Sequence, residues 1–341
     1  MITVYLTSAA GELLTFKSDS TSDIYAKIVK NSWIYLTEPT EEEILKVSQL
    51  TKIDEIILRT ALDEEETAHI DSEGDVTTVI IDTPIIVPDV LHPQINHYTT
   101  TPLSILYNKD FIVTACVKKD LVVPNMFVKA VKNFSTEKRI RLAIQILYRN
   151  ATMFVTMLKQ LDKDSEYIQT KLQEAMKNSE LFELMNLSKS LVYLSTGLNA
   201  DIIVLEKLRR TDSFKQFEEG LALIDDAIIE NRQAIEMSTI HREILNGIMD
   251  TYASVISNNV NTVMKTLTVV TIVLTIPMIV ASFFGMNFEM PIHEAKGFWF
   301  AIVASFILSI LCGFFLARYT STLKFQWGTK RKFFGKPNKK K

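Results

Sequence analysis

The sequence has little cysteine and lacks the motifs that mark common enzymes. Its two cysteines, Cys116 and Cys312, lie far apart, so no disulfide framework is expected and both are predicted to be free thiols in a reducing compartment. No glycine-rich phosphate loop and no nucleophile motif appears, so we expect neither an enzyme nor an organic cofactor. The first residues carry no basic segment followed by an apolar one, so no secretory signal is predicted.

Acidic residues are almost missing from the C-terminal part of the chain. Beyond residue 262 only Glu289 and Glu294 are acidic, although the chain holds 40 acidic residues. Residues 1–262 therefore carry 38 acidic and 26 basic residues, a local balance of −12. Such asymmetry indicates a membrane, a nucleic acid or an ion as partner.

Charge is also absent from two long apolar runs. Thr266–Phe284 and Gly297–Ala317 contain 19 and 21 uncharged residues. As helices, each measures about 30 Å, the thickness of the hydrocarbon core of a bilayer. A pair of buried helices in a soluble protein is the alternative, but the short separation of the runs favours a transmembrane hairpin.

Basic residues predict the orientation of this hairpin. From Arg318 to Lys341 the chain is rich in lysine and arginine and contains no acid, whereas the loop between the runs has one lysine. By the positive-inside bias, both termini are expected to be cytoplasmic in a multi-pass protein of the cell membrane. We assign the basic tail to anionic membrane lipids rather than to nucleic acid.

The segment before the hairpin predicts two kinds of structure. Residues 1 to about 130 contain short β-branched strands, a hairpin signal near "SAAGE", and a capping box at Thr40 and Glu43. Residues 136–276 contain no proline and little glycine, with apolar residues at three-and-four spacing. We predict antiparallel helices over about 136–178 and 180–212. A third helix, capped near Asp212, runs unbroken from Phe214 into the first span, and its length argues for oligomerisation.

A polar stripe follows this third helix at alternating steps of four and three residues. It comprises Asp250, Ser254, Ser257, Asn261, Met264, Thr268, Thr271, Thr275, Met278 and Ser282. A period near 3.5 is typical of helices that share an axis. In a membrane such a stripe faces either a water-filled pore or a partner helix, and the periodicity leaves both open. Because two spans cannot enclose a pore, the pore interpretation requires several copies.

The first span ends at Gly285-Met286-Asn287, which resembles the signature of the CorA family of magnesium transporters. Its position before a short loop, beyond a long cytoplasmic part and ahead of a basic tail, is similar to that family, as is the upstream "SNNVNTVMKTLT". The resemblance implies a CorA-like, funnel-shaped homopentamer with an α/β cytoplasmic domain, long stalk helices and a two-helix transmembrane hairpin. The implied division is 1–135 (cytoplasmic α/β domain), 136–262 (antiparallel helices and stalk), 263–284 (pore-lining span), 285–296 (outer loop), 297–317 (second span) and 318–341 (cytoplasmic tail).

The resemblance also implies roles for residues along the pore. Five copies of Gly285, Met286 and Asn287 would form a ring that holds hydrated Mg²⁺ through neutral oxygens. Glu289 and Glu294 would concentrate cations outside, although a solvated loop explains them equally well. The implied pore and gate residues are Asn261, Met264, Leu267, Thr268, Thr271, Thr275, Met278 and Ser282. The sequence departs from the family at Met278, where the family has a threonine, and at Pro277, which is displaced by one residue.

Regulation is implied by acidic residues that the family uses to bind cytoplasmic Mg²⁺ between subunits. The resemblance places the ligand of the long helix at Asp226, with Asp225 and Glu230 beside it and Asp250 near the base of the pore. The family's acidic pair falls on Arg59 and Thr60 here, so Asp63, Glu64, Glu65 and Glu66 just downstream are the candidate partners. A charge run of this kind is also typical of a solvated face.

The sequence therefore predicts a homopentameric channel or transporter for Mg²⁺, with Co²⁺ as a second candidate substrate, gated by cytoplasmic Mg²⁺. Its predicted partners are divalent cations and membrane lipids, and no nucleic acid. One alternative is a zinc transporter of the same fold, although that group has isoleucine where Met286 stands. Another is a membrane-anchored scaffold without transport, which needs neither the polar stripe nor the tripeptide.

Overall fold

The computed structural model describes residues 1–8, 12–18, 23–88, 96–118, 122–125, 134–174, 178–211, 218–284, 286 and 295–319. The chain forms two compact units, Met1–Met249 and Asp250–Lys341. Three features lie outside the described residues: the predicted cap at Asp212, the tip of the predicted N-terminal β-hairpin, and the tail beyond Tyr319.

The first unit is built on a mixed β-sheet. Its described strands are β1 (Ile2–Thr7), β2 (Leu13–Lys17), β3 (Trp33–Thr37), β4 (His69–Glu73), β5 (Val76–Pro88), β6 (Asn96–Tyr107) and β7 (Ile112–Cys116). They are arranged in the order β2-β1-β3-β7-β6-β5-β4. Every neighbouring pair is antiparallel except β3 and β7, which are parallel. The predicted β1–β2 hairpin is confirmed, with Thr7 opposite Leu13.

Helices cover both faces of this sheet. The short helices α1 (Glu41–Thr51) and α2 (Glu55–Thr60) pack on one face, which includes Ile34. The opposite face, which includes Trp33, packs against the long helices described next. Successive residues of β3 thus enter different cores, as the two-residue repeat of a strand requires. The expected α/β class is confirmed.

The other described helices are α3 (Val122–Asn125), α4 (Arg139–Glu174), α5 (Asn178–Arg210), α6 (Glu218–Phe284) and α7 (Ala295–Tyr319). Helix α4 begins three residues later than predicted because Thr136 is bonded to β1. Its Oγ1 accepts from the Thr7 amide and its own amide donates to Thr7 Oγ1, both at 3.0 Å. The described part of the third helix is continuous into the apolar run, as predicted.

Local signals in the sequence are reproduced in detail. The capping box at α1 forms in both directions, because the Glu43 amide donates to Thr40 Oγ1 and the Thr40 amide donates to Glu43 Oε2. Neither cysteine forms a disulfide, and the buried Cys116 thiol donates to the Pro102 carbonyl at 3.3 Å.

A buried carboxyl group joins α5 to the sheet. Asp201 accepts hydrogen bonds from the Asp82 amide at 2.8 Å and from Asn150 Nδ2 at 2.9 Å. One turn earlier, Gly197 allows close contact, because a Cβ added there would lie 2.9 Å from Asp82 Cβ. Burial, followed by the charge of Asp82, raises the pKa of Asp201 well above its ordinary value. Burial also raises the pKa of Asp82.

These raised pKa values predict that the contribution of Asp82 and Asp201 to the stability of the first unit falls as pH rises. A folded state that binds the proton more tightly gains its full stabilisation below the unfolded-state pKa of about 3.9 and loses it as pH rises through the folded-state pKa. We expect Asp201→Asn to flatten the dependence of melting temperature on pH, because the amide stays neutral. Differential scanning fluorimetry of the full chain in detergent tests this, with exposed Asp71→Asn as control. Equal slopes in wild type and Asp201→Asn would contradict it.

Candidate functional site: the transmembrane hairpin and its polar stripe

Helices α6 and α7 each contain a stretch that is long and apolar enough to cross a membrane. Their large apolar side chains are exposed in the single chain; Leu274 is 66% exposed and Phe306 is 57% exposed. A pair of buried core helices in a soluble protein would cover these side chains. The exposed apolar surface therefore favours lipid as the surrounding medium.

Helix α7 packs against α6 through a row of small residues. Ser305, Ser309 and Gly313 are spaced four apart and so lie on one face of α7. Both serines are buried, and their hydroxyls donate to the carbonyls of Ile302 and Ser305 at 2.8 Å. A Cβ added at Gly313 would lie 3.0 Å from Val273 Cγ2 of α6. Small residues thus permit the close approach of helices that is common in membranes.

The polar stripe lies on the opposite side of α6 from this contact. At about 100° per residue, Val269, Val273 and Val280 share one face, and Met264, Thr271 and Ser282 share the other. The three valines are partly covered, whereas the three residues of the stripe are exposed. The second span of the same chain therefore does not cover the stripe, so packing against α7 does not explain why these positions are polar.

Threonines in the stripe use their protons within the helix. The hydroxyls of Thr268, Thr271 and Thr275 donate to the carbonyls four residues earlier at 2.9, 2.9 and 2.7 Å. Thr266, which lies off the stripe, makes the same bond, so the bond is not restricted to the stripe. Within the stripe it determines the hydrogen-bonding role of the hydroxyl groups. Each hydroxyl proton is occupied, so the exposed oxygen acts as an acceptor towards the outside.

The C-terminal end of α6 lies directly before the signature tripeptide in the sequence. The helix ends at Phe284, and the Met286 amide donates to the Phe283 carbonyl at 3.3 Å. Gly285 and Asn287 lie outside the described residues, as do Glu289 and Glu294. The predicted ring of oxygens there remains a prediction.

The acidic candidates of α6 within the first unit lie in different surroundings. Asp225 pairs with Arg209 on α5, with Nε 2.6 Å from Oδ1. Asp226 is exposed and Glu230 is partly exposed. No group of three metal-ligating side chains occurs within the described part of the single chain, so the structure does not bring these acids together.

The run from Asp63 to Glu66 forms a turn with its own partners. Asp63 accepts from the Glu65 amide at 3.0 Å, Glu64 pairs with Lys118 at 2.7 Å, and Glu66 lies 3.5 Å from His69. Sequence reasoning missed the pairing of Glu64 with Lys118 and that of Asp225 with Arg209, because these partners are distant in sequence.

Arg59, one of the two residues on which the resemblance places the family's acidic pair, bridges two carboxylates of its own unit. Its Nη2 lies 2.6 Å from Glu41 and 2.6 Å from Glu55. The position has therefore become part of an exposed ion-pair network between α1 and α2.

An α/β unit, a helix that continues into an exposed apolar segment, and a second span packed on it define a two-span membrane protein. The chain belongs to the CorA-like Mg²⁺ transporter protein family, whose model matches residues 30–318. This family consists of ion transporters and not enzymes. The resemblance carried by the tripeptide is thus confirmed at the level of the family.

Known relatives match this chain in sequence and in fold over nearly its whole length. The chain is 27% identical to the cobalt/magnesium transport protein CorA of Methanocaldococcus jannaschii over 321 residues, 91% of this chain and 96% of that protein. The complete structure of the CorA magnesium transporter from that organism superposes with a TM-score of 0.74 at 23% identity, covering 93% and 97% of the two chains. Full-length CmaX shares the fold, with a TM-score of 0.65 at 14% identity over 94% and 97%.

We predict that a large side chain at Gly313 separates the hairpin. Gly313→Leu forces the side chain against Val273 and is expected to cost about 1–3 kcal/mol of stability. Thermal unfolding of the full chain in detergent measures the effect. Gly247→Leu is the matched control, because a Cβ there meets no atom within 4 Å. Equal melting temperatures for both variants would contradict the close packing of α7 on α6.

Proposed function

We propose that this chain transports Mg²⁺ across the cell membrane as a homopentamer, with the polar stripe of each α6 facing a central pore. The observation that carries the proposal is the exposed stripe, which lies opposite the hairpin contact in a member of a Mg²⁺ transporter family. Lipid offers no hydrogen bonds to a helix face that carries oxygens, so we expect the stripe to contact water or further copies of the chain. Several copies supply both, because their stripes surround a shared water-filled axis.

The chemistry of the stripe suits a hydrated divalent ion. Mg²⁺ gives up its inner water reluctantly, and that water presents hydrogens to its surroundings. The back-bonded oxygens of Thr268, Thr271 and Thr275 accept such hydrogens without a fixed charge that would hold the ion. Met264 and Leu267, which are exposed on this part of α6, supply an apolar constriction that closes by excluding water.

The outer entrance is assigned to Gly285, Met286 and Asn287. Neutral carbonyl oxygens there select a hydrated ion, while Glu289 and Glu294 raise the local cation concentration. With both termini cytoplasmic, the inward-negative potential drives entry. Its contribution for a divalent ion is about 4.6 kcal/mol per 100 mV.

We predict that Asn287→Ala lowers Mg²⁺ influx into liposomes by at least about tenfold, because five amide contacts to the hydrated ion are lost. The assay uses purified protein, an internal Mg²⁺-sensitive dye and an imposed inward-negative potential. Asn258→Ala, which removes an amide from the cytoplasmic part of α6, is the control. Influx equal to wild type in Asn287→Ala would refute the filter, and transport of Zn²⁺ in preference to Mg²⁺ would establish the zinc alternative.

Closure by cytoplasmic Mg²⁺ is assigned to Asp226 together with an acidic residue of a neighbouring subunit. Asp226 is favoured over Asp225 because the Arg209 guanidinium already neutralises Asp225. Like-charged carboxylates at an interface repel, so a bound cation stabilises the closed arrangement. The acids from Asp63 to Glu66, with Glu230 and Asp250, remain candidates for the partner ligands.

We predict that Asp226→Ala raises the internal Mg²⁺ concentration needed for half-inhibition by about tenfold, within the usual range of coupling between sites. The same liposomes, loaded with increasing Mg²⁺, provide the measurement. Glu236→Ala removes an exposed acid from the same helix and serves as control. An unchanged inhibition curve in Asp226→Ala would contradict this assignment but not the proposal that the chain transports Mg²⁺.

A further inference from the structure

A cleft in the first unit has no role in the pore or in the proposed gating. It lies between the N-terminus of α4 and the turn that joins β6 to β7, and its volume is about 500 Å³. Pockets of roughly 300–1,000 Å³ are typical of small-molecule sites. Its size therefore fits a metabolite rather than a single ion.

The lining of this cleft is basic within an acid-rich segment. Four cationic side chains, Lys109, Lys138, Arg139 and Arg141, face it together with the carboxylates of Asp75 and Glu137. Residues 1–262 carry a balance of −12, so a local excess of positive charge runs against the background. Such a concentration of like charge is favourable where an anion binds.

Neighbouring residues show the same positive field. The Asp110 carboxylate, in the turn beside the cleft, lies 2.7 Å from Lys30 Nζ. The hydrogen bond from Lys30, with smaller contributions from Arg139 and Lys52, lowers the pKa of Asp110.

The start of α4 adds to this field. The helix has 36 residues and no acid in its first turn, where Arg139 and Arg141 stand instead. Basic residues at a helix N-terminus oppose the helix dipole, whereas an anion there is stabilised by the dipole and by free amide groups. The basic side chains are therefore placed against local helix preference and in favour of an anionic ligand.

The walls of the cleft are held in position without a ligand. Asn108 Nδ2 donates to the Thr51 carbonyl at 2.9 Å, and its Oδ1 accepts from the amides of Asp110 and Phe111. On the other wall, Arg139 Nη1 donates to Asn31 Oδ1 at 2.6 Å. A preorganised site of this kind loses little entropy when a ligand binds.

We propose that this cleft binds a phosphorylated small molecule of the size of a nucleoside polyphosphate. The lining also holds two carboxylates, and Lys109 Nζ lies 3.1 Å from Asp75, so the four cations leave an excess of two positive charges. This excess suits a phosphate chain, since lysine and arginine are the usual phosphate partners. Tyr107 and Ile140 contribute apolar surface beside them, which suits the organic part of such a molecule. The proposal concerns the first unit and does not depend on which ion the pore conducts.

Calorimetric titration of ATP, AMP and tripolyphosphate into the full chain in detergent, at fixed free Mg²⁺, tests the proposal. We expect ATP to bind, and the double variant Lys109→Gln/Lys138→Gln to bind it at least about tenfold more weakly, because charge-assisted contacts are lost. Lys159→Gln/Lys163→Gln removes the same charge from the exposed side of α4 and is expected to bind as wild type does. Higher salt is expected to weaken binding.

The three ligands distinguish the chemistry. ATP binding more tightly than tripolyphosphate supports a nucleotide site, and equal binding supports a site for the phosphate chain alone. AMP binding far more weakly than ATP supports the count of cations. Absence of binding by ATP and tripolyphosphate, or an equal loss of affinity in the control variant, would overturn the proposal.

Discussion

The constraint on which the membrane part depends is that hydrocarbon offers no hydrogen bonds. Every polar group in the spans must find a partner within protein or water. Ser305 and Ser309 meet this requirement by donating hydrogen bonds to carbonyls of α7. The close contact at Gly313 covers one face of α6. The threonine oxygens on the opposite face have no such partner from α7. In the proposed pentamer, water on the shared axis satisfies them, and the same oxygens then face the ion.

The first unit solves a different problem, because water surrounds it and its sheet must be covered on both faces. Alternate residues of β3 enter two cores, and α5 is joined to β5 through the buried Asp201. Burying a carboxyl group costs stability unless it is hydrogen-bonded or protonated. The Asp201 carboxyl group is hydrogen-bonded and burial raises its pKa, so the stability of this joint depends on pH in a way that no apolar contact would.

Charge organises the surface of the same unit in two ways. Exposed carboxylates make it strongly acidic, which suits interfaces that bind cations. One carboxylate of the long helix, Asp225, is already paired with Arg209. At the start of α4 the balance reverses, and basic side chains collect around a cleft. The proposed cation site and the proposed anion site of this unit thus use separate residues.

The sequence by itself determined the elements whose signals are local. Apolar length and flanking charge predicted the hairpin, the spacing of Thr40 and Glu43 predicted a cap, and Gly285-Met286-Asn287 indicated the family. Periodicity alone left two meanings for the polar stripe, because it says which residues share a face but not what that face meets. Only the tertiary structure placed α7 on the opposite face, paired Asp225 with Arg209 and gathered the basic cleft. Each of these joins residues from different elements, and packing between elements is a property that no local pattern encodes.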